Sequence, residues 1–186
     1  MAAAAATGAP PTVFGLEFGK PLSIPVCRRA VLPGGTESIT YESEPAVTCH
    51  EPDIQLRDAP WHRGTIDFPM SKAPVFMDGN VLYTLVVDGR LEGLQIETLN
   101  HNHTEAIARQ LAAKFGKPTS IEHDQAEVEG IAVPSLVFTW RLRGLRVTYT
   151  NIDDSMDYGQ VLIETPAMQR VRHNRDESAS KARTAL

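Results

Sequence analysis

Two histidines spaced two residues apart, His101 and His103, are the pair in this chain nearest to a metal-binding arrangement. On an extended segment positions i and i+2 share a face, and Glu97 or His123 can complete a His/carboxylate set for a divalent transition metal. However, His101-Asn102-His103 stands where a strand is expected to give way to a helix, and Asn102 is wanted there as a cap. A second polar cluster, Asp153-x-Ser155-x-Asp157 followed by Glu164, matches positions 1, 3, 5 and 12 of a calcium loop. Its sixth position is Tyr158 where the sharp turn needs glycine, Gly159 comes one place late, and the flanks read as strands. An acidic hairpin loop, 152–158 with Asp153, Asp154 and Asp157, is the better description.

Nucleophile chemistry has no foothold. The chain has no G-x-S-x-G elbow, no phosphate-cradling glycine loop and no H-E-x-x-H helix. Ser71 and Ser155 have no identifiable base, and Glu127 and Glu129 lie in a polar stretch with nothing to bury one carboxyl and raise its pKa. No catalytic residue, no metal and no cofactor is therefore expected. Trp61-His62-Arg63 differs in kind, because an aromatic beside arginine in a proline-flanked loop has the composition of an interface anchor. The competing reading folds Trp61 back over the core.

Bulk properties narrow the compartment and the partners. The 186 residues suit one domain. A formal charge of −5 argues against a general nucleic-acid binder, which needs a concentrated basic face. No apolar run approaches the ~20 residues of a membrane span. The Ala-rich start and Gly8-Ala9-Pro10-Pro11 read as the segment just after a small-residue cleavage site, so a mature exported chain with its signal replaced by Met1 is expected. Cys27 and Cys49 make an even count in a loop-rich region, and a disulfide between them is expected; joined, they stabilise the fold by about 3 kcal/mol in the chain-entropy model.

The elements that must position these groups begin after a flexible leader, 1–12. Residues 13–18 alternate as a strand, with shorter β-prone pieces at 38–41, 46–48 and 65–68. Val81–Val87 and 91–99 form a hairpin about Asp88-Gly89. The spacing of Ile107, Ala108, Leu111, Ala112 and Phe115 predicts a helix over Thr104–Phe115, capped by Asn102 with Glu105 or by Thr104 alone, and stopped by Gly116 and Pro118. A polar connection covers 124–130. Strands follow at 136–142 and 145–149, turning at Arg143-Gly144, and a last one at 161–164. From 169 to 186 the chain reads as a disordered tail. The whole is an α+β domain over 13–168: a twisted antiparallel sheet with one main helix on one face, in a ββαβββ core. Phe18-Gly19-Lys20-Pro21 recurs as Phe115-Gly116-Lys117-Pro118, which shared turn chemistry explains better than a repeat.

The string Phe14-Gly15-Leu16-x-Phe18-Gly19-x-Pro21-Leu22-x-Ile24-Pro25-x-Cys27, with the Asp88-Gly89 hairpin and the Phe115-Gly116-Lys117-Pro118 stop, resembles small exported proteobacterial proteins of unknown function. The resemblance spans about residues 13–165 and implies export and fold, with no catalytic residue to carry over. The expected function is a non-catalytic periplasmic or secreted module that binds another protein through Trp61, His62, Arg63, Asp153, Asp154 and Asp157. Its sharper form is an inhibitor or immunity protein against a toxin or hydrolase. The alternatives are a metal-assisted enzyme using His101 and His103 with an acidic neighbour, and an envelope assembly or scaffold protein.

Overall fold

The computed structural model describes residues 11–31, 35–55, 60–153 and 155–184. The run 13–18, expected to be one strand, is a miniature hairpin of β1 (Thr12–Val13) and β2 (Leu16–Glu17). Phe14 and Gly15 both take positive φ, 53° and 79°, so the alternating pattern conceals a turn. Strands β3 (Arg29–Val31) and β4 (Glu37–Tyr41) pair with each other and stand apart from the main sheet.

Eight strands make that main sheet. The first four are β5 (Cys49–Gln55), β6 (His62–Asp67), β7 (Val81–Val87) and β8 (Arg90–Thr98), each antiparallel to the next. The β7–β8 hairpin turns at Asp88-Gly89 with φ of 50° and 71°, as that dipeptide predicts. After helix α1 (Thr104–Phe115) come β9 (Ser120–Val128), β10 (Ile131–Leu142), β11 (Leu145–Thr150) and β12 (Gly159–Glu164). The strand order is β5-β6-β7-β8-β12-β11-β10-β9, so two four-stranded meanders meet where β12 lies beside β8.

The α+β class holds, with four strands after α1 where three were expected. The extra one is β9, which occupies the stretch expected to be a polar connection. It alternates poorly because most of it is exposed on both faces. From Ile131 to Leu136, β10 pairs with β9 alone, since β11 joins it only from Val137 onward. Pro134 is tolerated there because a strand with one open side need not donate in both directions. The two Phe-Gly-Lys-Pro copies sit in different surroundings, one after β2 and one after α1. Gly19 and Gly116 both turn the chain at positive φ, 76° and 83°.

Pleating sorts the sheet into two faces. Ile66, Leu82, Leu94, Ile96, Val147 and Ile163 share the inner face, fully buried. Phe138, Trp140 and Tyr149 stack beside them, with ring centroids 5.6–6.3 Å apart. α1 lies on this face and buries Ile107 and Leu111, with Ala108 and Phe115 packed at the margin. Each such side chain removed from water contributes about 1.5–3 kcal/mol. Trp140 Nε1 donates to Gly116 O at 2.7 Å and ties the end of α1 to β10. The helix start differs from expectation. A 3-10 turn, His101–His103, precedes it, and Asn100, not Asn102, supplies the capping oxygen, accepting from Asn102 N at 3.2 Å.

The outer face carries a second helix, α2 (Pro166–Thr184), where disorder was expected from 169. Proline suits the first helical position, and the Thr165 hydroxyl accepts from Met168 N at 3.3 Å. Met168 and Val171 then reach Leu85, Leu162 and Trp61. Among the described residues, the apolar contacts of α2 fall in this first part; the exposed positions beyond it have the polar composition that suggested a tail.

Cys27 and Cys49 are joined, with Cα atoms 4.9 Å apart. Cys27 N donates to His50 O at 2.8 Å and His50 N to Pro25 O at 2.9 Å, so segment 25–27 lies along β5 at the sheet edge. No helix is long and apolar enough to cross a membrane among the described residues.

Candidate functional site

The acidic loop lies at the end of the sheet where β11 passes to β12, and its base is fixed from three sides. Asn151 is buried, and its Oδ1 accepts from Leu136 N at 2.8 Å and from the Ser135 hydroxyl at 3.1 Å. Its Nδ2 donates to the Thr104 hydroxyl at 3.1 Å, and that hydroxyl donates to His101 O at 2.5 Å. The loop base is thereby hydrogen-bonded to the start of α1 and to the turn before it. Unpaired, each of these buried groups would cost about 1–3 kcal/mol, which favours this one arrangement.

Within the loop, Asp153 N donates to Tyr158 O at 3.1 Å, and Gln160 Nε2 donates to Asp153 Oδ2 at 2.7 Å. Asp157 N donates to the Ser155 hydroxyl at 2.9 Å. Asp154 lies outside the described residues. Gly159 closes the loop at a point where a Cβ would stand 2.7 Å from Thr98 Oγ1 and 2.8 Å from Thr150 O. Tyr149, at the inner end of this network, has its hydroxyl pushed upward in pKa by burial, with the Thr104 and Thr98 hydroxyls pulling the other way. Met156 and Tyr158 are exposed beside the acids, so the loop presents apolar and anionic groups together.

His101 belongs to this network. Its Nδ1 is 2.9 Å from Met156 O, so the histidine buttresses the acidic loop. His103 holds the N-cap position of α1 without a side-chain cap bond. Glu97 pairs with Gln160 on the outer face, and His123 sits on β9 opposite Leu136. Glu164, the twelfth position of the supposed calcium loop, is on the outer face and bonded to Arg172 at 2.8 Å. Among the described residues no three His, Cys, Asp or Glu side chains are grouped to hold a metal ion.

The other expected anchor is rearranged. Trp61 is only 5 % exposed, against Leu85 and Met168, with the Arg172 and Arg175 guanidiniums 5.8 and 5.0 Å from its ring. The presence of α2 is the reason: the helix covers the indole that a disordered tail would have left in water. His62 and Arg63 are not loop residues but open β6. His62 is exposed, and Arg63 lies over the Tyr83 ring at 3.6 Å, a cation–π contact on the outer face.

The Asn151–Thr104–Ser135 network escaped the sequence reading. Its members are single polar residues on three separate elements, and the one local hint was Asn151 directly after a strand. Comparison with family models, with curated proteins and with solved structures returns no match.

Proposed function

We propose that this chain is an exported, non-catalytic protein-binding module that covers a basic surface of a toxin or hydrolase, as an inhibitor or immunity protein does. The observation that carries the reading is the acidic loop, because a rigid base beneath charged and apolar tips lowers the entropy lost on docking. Asp153 and Asp157 supply the charge that steers a basic partner, while Met156 and Tyr158 supply contact area. One feature agrees with export: the disulfide is compatible with an oxidising compartment. The metal-assisted alternative has less support, since His101 is engaged with the loop backbone.

The test is capture of a partner from a periplasmic or secreted extract, followed by binding kinetics. Asp153→Asn with Asp157→Asn is expected to slow association and to flatten its salt dependence, leaving dissociation nearly unchanged. If Arg146→Ala and Thr148→Ala on the outer face change the affinity instead, the sheet is the interface.

A further inference from the structure

The Asp67 carboxyl is buried on β6, next to the edge strand β5, and its Oδ2 is 3.6 Å from Cys27 Sγ. A disulfide sulfur carries no hydrogen. The contact is therefore a hydrogen bond only when Asp67 holds the proton and donates it. In register, Asp67 faces Cys49 on one side and Val81 on the other, neither of which carries charge. The charged group that acts on it is Glu51, two residues along β5 from Cys49. Burial and the Glu51 charge together hold the Asp67 proton up to about pH 6. Cys49, the other half of the bond, forms part of the wall of a cleft of about 220 Å³. Pro25, Pro45 and Val47 line the same cleft, with Arg28 and Glu42 contributing one charge of each sign.

We propose that Cys27–Cys49 is a thiol–disulfide exchange site for dithiol reductants, entered at Cys49 from the cleft, with Asp67 as the proton donor to Cys27. One thiolate of the dithiol attacks Cys49 Sγ. The Cys27–Cys49 bond breaks, its electron pair passes to Cys27 Sγ, and the Asp67 proton moves onto that sulfur. The second thiol of the dithiol, deprotonated, then displaces Cys49, which takes a proton from water, and Asp67 is reprotonated from solvent. The dithiol leaves as its cyclic disulfide, so two electrons and two protons have moved to the protein. The two backbone hydrogen bonds around His50 then remain to hold segment 25–27 on β5. Leaving-group protonation matters because a thiolate formed in a buried site beside carboxylates is disfavoured by desolvation and like charge.

The experiment follows reduction of the folded, full-length chain by dithiothreitol, with alkylation and intact mass as the readout. Rate constants are expressed per dithiothreitol thiolate, so that the reductant's own titration drops out. Between about pH 7.5 and about pH 5 the normalised constant is expected to rise about thirtyfold in the natural chain, because the donor becomes protonated. It should be flat in Asp67→Asn. In Glu51→Gln the rise should move to lower pH, since the neighbouring charge that holds the proton on Asp67 is gone; this variant also serves if Asp67→Asn does not fold. A flat natural profile, an unchanged rise in Asp67→Asn, or a Glu51→Gln inflection that stays in place overturns the assignment. A rate that saturates with dithiothreitol at the global unfolding rate also overturns it, because the bond would then be reached only in the unfolded chain.

Discussion

The two faces of the eight-stranded sheet are covered by one helix each, and they are built on different physics. On the inner face α1 presses Ile107 and Leu111 into a continuous apolar core with stacked aromatic rings. On the outer face α2 holds on through a small cluster about Trp61, Leu85 and Met168, with a rim of polar contacts. That rim includes Arg172 with Glu164, the Thr165 hydroxyl bonded to the Glu92 carboxylate, and arginines over Trp61. Among the described residues, the two carboxylic acids with raised pKa, Asp67 and Glu164, lie on this side. The inner helix is thus part of the main core, whereas the outer one is held by a small separate cluster.

Substitutions on the two faces put that contrast at risk. Leu111→Ala is expected to cost about 3–5 kcal/mol, because its site is closed on all sides and cannot collapse. Chemical denaturation measures it, and the loss should appear as a lower midpoint for the whole transition. Trp61→Ala should cost about 2–3 kcal/mol, less than a fully enclosed tryptophan. It should first detach α2, seen as helical signal lost before the sheet melts. A single shared transition in Trp61→Ala would show that the faces are not separable.

The next effect is a pH dependence confined to the outer side. Burial, with Glu51 adding to it, raises Asp67 from 3.8 to about 6. A raised carboxyl binds its proton more tightly in the folded chain than in the unfolded one. Its contribution is therefore complete below about pH 4 and is lost as pH rises through about 6. Asp67→Asn should recover about 1–2 kcal/mol above that range and flatten the slope, measured as thermal midpoints across pH. Glu164 is also raised, by burial, with Arg172 opposing. Arg172→Ala should accordingly cost about 1–2 kcal/mol near neutrality, where Glu164 would be left charged and without its partner. The smallest effect is Arg109→Ala, under about 0.5 kcal/mol, since its 3.6 Å pair with Glu105 lies in open solvent.

The same contrast explains what the sequence disclosed. α1 was legible because one apolar stripe repeats at helical spacing over its whole length. Asp88-Gly89 and the β10–β11 alternation were legible because turn chemistry and pleat are local properties. The Cys27–Cys49 bond followed from an even count in a loop-rich stretch. α2 was not legible: Met168 and Val171 make less than a stripe, and the following turns carry only exposed polar residues. β9 was missed for a related reason, since a strand wet on both faces has no alternation to read. The neighbouring of β8 and β12 joins residues about sixty to seventy positions apart, and no local pattern encodes it. For the candidate site, the acids at 153 and 157 were visible as a polar cluster, whereas Asn151, Thr104 and Ser135 acquire meaning only when three elements converge. Trp61 could be read both as an interface anchor and as a cover for the core, and it is buried, although the helix that covers it was not foreseen.

The stretch of β10 from Ile131 to Leu136 that pairs with β9 alone sets up a gradient of lifetime along one strand. Near Trp140 the backbone is locked between two neighbours over a packed core, and its amides should exchange with solvent only when the whole domain opens. Toward Glu129-Gly130 the same strand is half of an isolated ribbon, and two strands without a core are barely stable in water. Amides there should exchange through local fraying, at a free energy well below that of global unfolding. The turn at Glu129-Gly130 is accordingly where a protease should make its first cut, leaving the acidic loop and its Asn151 support intact.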